Sequence, residues 1–460
     1  MKMSNIFKGA MVGVLALSMA SCQDFLNRPT EDNYNVDNFY KNDDQVEQGV
    51  NFLYNSPWYD FQRAFIKIGE VMSGNMYWGS SPYLTFTTNG TDGDLVNMSY
   101  SLWAVNGQAN TVITNILNSE GPSQAAKNKA IGEALTWKAM AYFYMVRTFG
   151  EVPIVHDNNA ILTSGTYNDL YKADRASVYE YIIMTLEKAL ELLPKQTSGW
   201  NGRIDYYAAE ALLAKVYLTF GKHQEAATLL QSMLGSYELL SNVADVFDVA
   251  NESNKEIIFS VRFNKEVPGE GHGAWFSIAN LSDDSGRTDI LDNLYESNDA
   301  RKELIEYKKV DGVNAYLMNK FFDQRDATNK NYGNDQIILR YADVLLMYAE
   351  ALNEVSYSND QQSEAMKALN AVHTRAGLAP LDIADLPNQD AFRRAICKER
   401  QMEFPYEGHR WYDVVRMGYA KEFAAAEGHT IQDYQLVYPI PNTELERINN
   451  TALLWQNSNY

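Results

Sequence analysis

The sequence predicts a mostly α-helical protein, with a tetratricopeptide-like helical-repeat frame, irregular loops and a few short strands. Three segments support the frame, because they repeat one spacing of aromatic, large apolar, small and aromatic residues. They are Trp137, Met140, Ala141 and Tyr144; Leu213, Ala214 and Tyr217; and Tyr341, Val344, Leu345 and Tyr348. A small side chain lets a neighbouring helix approach, and the flanking rings fill the groove on either side. Each segment alone fits an ordinary amphipathic helix equally well, and only the three together favour a repeat.

The first 22 residues predict secretion. Lys2 and Lys8 precede the apolar stretch Gly9–Met19, which is too short to span a bilayer and is typical of a signal peptide. The next residues, Met19-Ala20-Ser21-Cys22, look like the lipobox of bacterial lipoproteins, although leucine is commoner than methionine at the first position. We therefore expect residues 1–21 to be a signal peptide and Cys22 to be lipidated.

A polar tether is predicted to follow the lipidated cysteine. Residues 22–54 are rich in Asn and Asp, with Phe25 and Leu26 as an early apolar foothold, so we expect a tether that docks onto the body. The remaining residues, 55–460, are expected to form a single domain. If Cys22 carries lipid, Cys397 has no partner, and the fold must then stand without a disulfide.

The first predicted helix covers Ala125–Phe149 and stops at Gly150. Gly221 then supplies a turn before a second helix over Gln224–Leu234. Helix pairs are thus expected over about 125–235 and again over about 339–377. Between them, Glu256–Phe263 alternates well enough to be a strand.

Two segments have no helical period and predict long loops with functional roles. Asn75–Tyr100 and Asn264–Asn298 combine glycines with aromatic residues, which predicts loops and short strands. Long irregular segments in a compact helical protein are usually functional or disordered, and the aromatic content favours function. The ligand-binding loops are accordingly predicted at about 74–100 and 264–298.

Charge and composition narrow the classes of ligand. With 39 basic and 59 acidic residues the net charge is -20, which argues against nucleic acid as a partner. The chain has only six histidines and none in a His-Glu-x-x-His arrangement, so a zinc site lacks support. We expect no cofactor; Asp283, Asp284 and Asp289 are a weak candidate for structural calcium, but their spacing favours a solvated turn.

Four blocks of sequence resemble the SusD/RagB family of outer-membrane lipoproteins. They are Glu133–Val155, with its Phe-Gly-x-Val-Pro turn; Leu339–Glu354 with Leu369–Leu378; Glu399–Gly418; and the tail from Tyr438 to Tyr460. The resemblance extends from Cys22 to Tyr460. It implies a glycan-binding protein that is lipid-anchored on the exterior of the outer membrane and delivers its ligand to a SusC-like TonB-dependent transporter. Some members capture peptide instead, and that alternative stays open.

The block Glu399–Gly418 also permits a catalytic interpretation. Glu403 and Glu407 would be the paired carboxylates of a glycoside hydrolase, with His409 and Asp413 beside them. The favoured interpretation is a buried structural network, and the resemblance supports it. Its predicted members besides the acids are Arg400, Phe404, Arg410, Trp411 and Arg416. We therefore expect no catalytic residue and no enzymatic activity.

The predicted glycan site lies in the first loop. A sugar offers apolar C–H faces rimmed by hydroxyls, so its site needs flat rings and planar hydrogen-bonding side chains. The segment Gly74–Tyr83 supplies these groups, and we predict a site of Asn75, Tyr77, Trp78 and Tyr83, with Asp60 as a hydroxyl acceptor. The family resemblance adds the second loop around Trp275. Three other tryptophans are expected to pack in the core: Trp58, Trp103 and Trp137.

A neutral glycan is the expected ligand. No Lys or Arg occurs between Asn75 and Asn97, so this loop offers no cation to an anionic sugar. The stretch Tyr77–Pro82 resembles fructan-binding family members. The sequence therefore suggests a fructan, without fixing the linkage.

Overall fold

A computed structural model of the chain describes residues 39–460, except for 55–57, 59–60, 78–81, 167–169, 196–201, 269, 273–277, 280–285, 288, 310–315 and 323–331. Helices predominate in this part of the chain, which confirms the predicted fold class. One hydrophobic core extends from Tyr40 to Leu454, so the described residues share a common interior. None of the described helices is both long and apolar enough to cross a membrane.

Seven of the sixteen helices in the described part of the chain lie in the two regions that the repeats predict, and nine lie outside them. The sixteen are α1 (Asp43–Val50), α2 (Ile66–Glu70), α3 (Gly93–Asn118), α4 (Gln124–Phe149), α5 (Asn158–Ser164), α6 (Arg175–Leu192), α7 (Tyr206–Phe220), α8 (His223–Met233), α9 (Asp289–Asp292), α10 (Lys302–Ile305), α11 (Tyr341–Val355), α12 (Glu364–Arg375), α13 (Gln389–Glu403), α14 (Arg410–Arg416), α15 (Ala420–Ala426) and α16 (Asn442–Ile448). A π-helical turn, Phe61–Phe65, precedes α2.

The strands form small antiparallel pairs rather than a central sheet. They are β1 (Met76–Tyr77), β2 (Val152–Pro153), β3 (Lys172–Ala173), β4 (Ile257–Val261), β5 (Ile278–Ala279), β6 (Gly286–Arg287), β7 (Tyr307–Lys309), β8 (Tyr316–Met318) and β9 (Gln336–Arg340). The pairs are β1 with β6, β2 with β3 and β4 with β9, and β8 lies between β5 and β7. The predicted strand at Glu256–Phe263 is thus found as β4.

The long helices begin at polar residues that cap them. A side-chain oxygen of the N-cap accepts a backbone amide at the start of α3, α4, α6, α7, α12 and α13, which satisfies donors that no helical carbonyl reaches. These caps are Asp92, Ser123, Asp174, Asp205, Ser363 and Asn388. Helix α4 ends at Gly150 with φ +77°, as its sequence predicts, because glycine tolerates this backbone conformation.

The three repeated segments lie on α4, α7 and α11 and face the core. All of their residues are buried, including the small Ala141 and Ala214. The helices pack in the succession α3, α4, α6, α7, α8 and α11, and α11 then contacts α12 and α13. This row of helix pairs is the predicted frame, since the small residues allow close approach of the neighbouring helices.

Two predicted boundaries differ from the structure. The first predicted loop was expected to reach Tyr100, but Asp92 caps α3 and the helix starts at Gly93. The predicted tether, residues 22–54, ends in helix α1, which buries Val46 and Val50. This helix packs on α4, so the last part of the tether segment belongs to the body.

Candidate functional site

The buried side-chain amide of Asn75 holds the start of the first predicted loop in place. The Asn75 side chain has no solvent exposure. Its Nδ2 donates to Glu70 Oε2 at 3.0 Å, and its Oδ1 accepts from Gln401 Nε2 at 2.7 Å. The prediction that Asn75 contacts a glycan is therefore wrong, because both of its polar atoms serve to hold the loop on α2 and α13.

Glu70 is the centre of this anchor. Its Oε1 accepts from the backbone amides of Gly408 and His409 at 2.9 and 3.1 Å. Gly69 allows this approach, since a Cβ there would collide with the backbone of Gly408. Burial raises the pKa of Glu70 to about 7, although its hydrogen bonds to Asn75 and the two amides oppose the rise. The loop thus starts from a rigid, buried polar base.

Strand β1 follows this buried anchor and exposes one aromatic side chain, that of Tyr77. Met76 points into the core, whereas Tyr77 is 42% exposed, as the alternation of a strand requires. Tyr77 pairs with Gly286 and Met76 with Arg287 across the β1–β6 ladder. Because β6 belongs to the second predicted loop, the backbone brings the two loops together beside Tyr77. This surface, centred on Tyr77 and the β1–β6 pair, is called the loop platform below.

Tyr83 is buried and attaches the end of the first loop to the start of α3. Its side chain is fully buried, and its hydroxyl donates to Asp92 Oδ1 at 2.6 Å. The ring lies 5.7 Å from that of Tyr438, and Lys67 Nζ lies 4.7 Å from its centre. The prediction that Tyr83 stacks on a glycan is therefore wrong: the ring is part of the core, and its polar end completes the cap of α3.

Several predicted residues lie outside the described residues. They are Cys22, Asp60, Trp78, Trp275, Asp283 and Asp284. Of the three tryptophans expected in the core, Trp58 and Trp137 are fully buried, and Trp103 is partly buried against the core. Across the part of the chain that the structure covers, no group of three His, Cys, Asp or Glu side chains is placed to hold a metal ion.

Glu403 and Glu407 are buried in a network of ion pairs. Glu403 Oε1 accepts from Arg340 Nη1 at 2.6 Å and also from Arg375. Glu407 accepts from Lys320 Nζ at 2.6 Å and from Arg340 Nε at 2.9 Å. Both carboxylates are almost completely buried, so a substrate has no path to them in this structure. The network is structural, as predicted.

The pKa values of these acids fit a structural role. Burial disfavours their charged form, but the guanidinium groups of Arg375, Arg340 and Arg301 outweigh it and lower the pKa of Glu403. At Glu407 the charges of Arg340 and Lys320 likewise outweigh the effect of burial and lower the pKa. A general acid in glycoside hydrolysis needs a raised pKa, and neither residue has one.

Two of the three predicted arginines, Arg400 and Arg416, pair with Asp413 as expected, but neither pairs with Glu403 or Glu407. Arg400 binds Asp343 and Asp413, at 2.6 and 2.8 Å, rather than Glu403 or Glu407. Arg416 also pairs with Asp413, and its other partner is Glu350. Arg410 donates to the Cys397 carbonyl at 2.9 Å. The cations at Glu403 and Glu407 come instead from distant parts of the chain, a fact that spacing within the block cannot reveal.

His409 is not available as a base. Burial and the neighbouring Lys215 lower its pKa to about 3, and its Nδ1 lies 3.1 Å from Lys215 Nζ. The imidazole is therefore neutral at physiological pH. It contributes to the packing between α14 and the frame, where its ring lies 5.2 Å from that of Phe404.

Comparison with family models identifies the family of this fold. The model described as the SusD family matches residues 312–460. A second model, described as starch-binding associating with outer membrane, matches residues 8–218. Together the two matches span most of the chain. The chain belongs to the SusD family.

Individual SusD-like proteins are similar along nearly their whole length. A SusD-like protein of Bacteroides ovatus is 29% identical and aligns over 88% of this chain and 81% of its own. A laminarin-binding SusD-like protein of known structure is 25% identical, with a TM-score of 0.72, covering 92% of this chain and 100% of its own. Surface glycan-binding protein A from Bacteroides thetaiotaomicron in complex with laminarihexaose has a TM-score of 0.74 at 19% identity, covering 90% of this chain and 99% of its own.

Proposed function

We propose that this SusD-family protein is a surface lipoprotein that binds a neutral oligosaccharide or polysaccharide at the loop platform and delivers it to a SusC-like TonB-dependent transporter. One observation supports the site most directly: Tyr77 is exposed where β1 pairs with β6. Two aromatic-rich segments meet there: Trp78 directly follows Tyr77 in the sequence, and Trp275 belongs to the same predicted loop as β6.

An exposed ring on a rigid base suits a sugar ligand. The ring can stack on the apolar C–H face of a pyranose or furanose. Because Asn75 and Glu70 already hold the strand, little backbone entropy is lost when a glycan binds, which favours affinity from a few contacts. Met76, directly before Tyr77, is buried, so the alternation of the strand directs Tyr77 to the surface.

The ligand is proposed to be neutral, with a fructan as the first candidate. The net charge of -20 repels anionic polymers, and the first loop contains no cation between Asn75 and Asn97. The fructan assignment comes from the sequence around Tyr77–Pro82 alone. Laminarin and laminarihexaose, named with two similar structures, belong in the same test.

The remaining parts of the proposal concern location and chemistry. Residues 1–21 act as a signal peptide, Cys22 carries the acyl chains, and the protein faces the cell exterior. The family model associated with the outer membrane supports this location. The protein catalyses nothing, since Glu403 and Glu407 are ion-paired and have lowered pKa values.

Isothermal titration of the purified protein against fructans, laminarin, xyloglucan and mixed peptides tests the ligand class. We expect binding to at least one neutral glycan and none to peptides. The substitution Tyr77→Ala is expected to weaken that binding at least about tenfold, the equivalent of ~1.4 kcal/mol from a stacked ring. A long incubation with the bound glycan should yield no shorter products.

Tyr171→Ala provides a matched control. Tyr171 is 68% exposed but lies beside β3, which pairs with β2 and not with the loop platform. This variant should bind the glycan as the unmodified protein does. Binding of peptides alone contradicts the glycan proposal, and equal losses in both variants contradict the loop platform as the site.

A further inference from the structure

A cavity elsewhere in the protein shares no lining residue with the loop platform. It has a volume of ≈ 280 Å³ and lies among α3, α4, β2, α5 and α16. Its wall is mostly apolar and includes Trp103, Phe149, Ile161, Ile448 and Leu454. A cavity of roughly 150 Å³ already accommodates a benzene ring. This one therefore has room for two large apolar side chains.

The cavity also contains an unpaired amide. Asn106 lines it and has no solvent exposure, yet neither its Nδ2 nor its Oδ1 has a hydrogen-bond partner among the described residues. Leaving a buried amide unpaired destabilises the folded protein. Such a donor–acceptor pair matches a peptide group, which carries one acceptor and one donor. The occupant that suits the cavity is thus apolar and bears a peptide or similar amide.

The rim of the cavity carries one negatively and one positively charged side chain. Glu444 and Arg447 both line it, and Arg447 Nη1 lies 3.2 Å from Glu444 Oε1. The arginine side chain is 58% exposed, so it remains accessible to a second carboxylate. An occupant with an acid and a base beside its apolar residues would complement this rim.

We infer that the cavity is the docking site of the chain's own N-terminal segment, with Phe25 and Leu26 as the inserted side chains. Between Gln23 and Asn33 these two are the only large apolar residues. Asp24 precedes them and Arg28 follows, which supplies one charge for each member of the rim pair. The peptide group between the two inserted residues satisfies Asn106.

The length of the chain permits this contact. The described chain begins beside α3, where Tyr40 hydrogen-bonds Asn115. From Asn115 back to Asn106 the helix rises ~14 Å, at about 1.5 Å per residue, and passing round the helix adds about 10 Å. The thirteen residues that follow Leu26, up to and including Phe39, span up to ~43 Å when extended. The segment therefore reaches the cavity with length to spare.

Docking would determine how the protein is held at the membrane. If Cys22 is lipidated, as proposed above, only Gln23 and Asp24 separate the acyl chains from the docked side chains. A short tether would then connect the membrane to the face of the protein formed by α3 and α16. The docking itself does not depend on lipid, so its test is independent of the anchor.

Cysteine cross-linking in the full chain tests the contact. The variant Leu26→Cys with Ile448→Cys places one thiol on the segment and one in the cavity wall. The comparison variant is Leu26→Cys with Leu117→Cys, because Leu117 is 65% exposed and lies two residues from the partner of Tyr40. Ile448→Cys alone measures any reaction with Cys22, and Cys397 is buried.

We expect the Ile448 pair to form a disulfide at least tenfold faster than the Leu117 pair. An undocked segment gives the opposite order, since Leu117 lies nearer to the point where the segment starts. Equal or reversed rates would overturn the inference. So would native mass spectrometry that finds a small molecule bound to the protein together with no cross-link at Ile448.

A second measurement does not rely on introduced thiols. Leu26→Ala should lower the Tm by a few degrees, because it removes apolar contacts from the cavity. Thr30→Ala, a small change in the same segment, should leave the Tm unchanged. Identical Tm values for Leu26→Ala and the unmodified chain would also overturn the inference.

Discussion

Among single residues, Glu70 has the most unusual electrostatic position near the loop platform. It is fully buried and accepts hydrogen bonds from three donors, but no Lys or Arg donates to it in the hydrogen bonds described. Burial disfavours its ionised form, which is why its pKa rises to about 7. The Glu70 carboxyl, which holds the strand of Tyr77 through Asn75, is therefore half-protonated near neutral pH.

The raised pKa predicts a pH dependence of stability. Because the pKa of Glu70 in the folded state, about 7, exceeds its ordinary value of 4.5, its contribution is fully present below pH 4.5 and is lost as the pH rises through 7. The shift corresponds to at most about 3 kcal/mol. Glu70→Gln removes this titration. Urea unfolding at pH 5 and pH 8 should show the variant gaining stability relative to the unmodified protein at the higher pH.

Glu422→Gln is the control for that measurement. Hydrogen bonds from Arg394 lower the pKa of Glu422, so this carboxylate stays ionised between pH 5 and pH 8. Its substitution should change stability by the same amount at both pH values. A Glu70→Gln effect that does not vary with pH would contradict the assigned titration.

Burial is the property of single residues that the sequence predicts least well in this loop. Tyr83 and Asn75 have the residue types of a sugar site, and glycines and serines lie close by. Their partners, Asp92, Glu70 and Gln401, would have to be known in advance to predict that both are buried. Gln401 lies 326 residues from Asn75, so no local pattern contains this contact.

At the scale of elements, the sequence predicts helices better than the loops between them. The ends of α4 and α8 agree with prediction within one residue, because caps, glycines and apolar periodicity act locally. Helix α3 is not predicted from the sequence, and its first residues fall in the predicted loop because Gly93, Asp94 and Asn97 resemble a loop. The signal that was available is Asp92, whose carboxylate accepts from the amides of Asp94 and Leu95.

Asp92 joins the first loop to α3, which makes its contribution larger than that of an ordinary cap. Loss of an N-cap costs about 1 kcal/mol, and Asp92→Ala also leaves the buried Tyr83 hydroxyl without its acceptor, which costs a further ~1–3 kcal/mol. We expect urea unfolding to show a loss of about 2–4 kcal/mol. In a Tyr83→Phe background the same substitution should cost only about 1 kcal/mol.

The matched control is Asp174→Ala. Asp174 caps α6 by accepting from the amide and hydroxyl of Ser177 at 3.0 and 2.7 Å, and both donors are local. Its loss should therefore match that of an ordinary cap. If both substitutions cost the same, Tyr83 does not depend on Asp92, and the loop is not joined to α3 through this pair.

At the scale of the whole molecule, the ion-pair network connects elements that are far apart in sequence. Arg340 at the end of β9 binds Glu256 before β4, Glu403 at the end of α13 and Glu407 after that helix. Arg301 before α10 binds Glu399 and Asp299. The network thus fixes the frame against the C-terminal helices. Sequence predicts that the block is structural, but it cannot predict the pairing, which depends on the tertiary fold.

Arg340→Met is the sharpest test of the network. Breaking a buried pair from one side leaves uncompensated charges and costs about 3–5 kcal/mol, which urea unfolding at pH 7 should show. Arg394→Met is the control: its ion pairs with Asp390 and Glu422 are solvent-exposed, and it should cost at most about 0.5 kcal/mol. Similar losses in both variants would mean that the buried pairs add nothing beyond surface pairs.

The same variant predicts the direction of a pH effect. The pKa values of Glu403 and Glu407 lie below their ordinary value of 4.5, so their stabilisation is present above pH 4.5 and is lost as the pH falls below it. Without Arg340 both pKa values rise toward that of an unpaired buried acid, and less stabilisation remains to be lost. The difference between the unmodified protein and Arg340→Met should therefore be largest at pH 7 and smaller at pH 3.5. A difference that grows as the pH falls would contradict the assigned ion pairs, because protonation can only weaken the attraction between these carboxylates and Arg340.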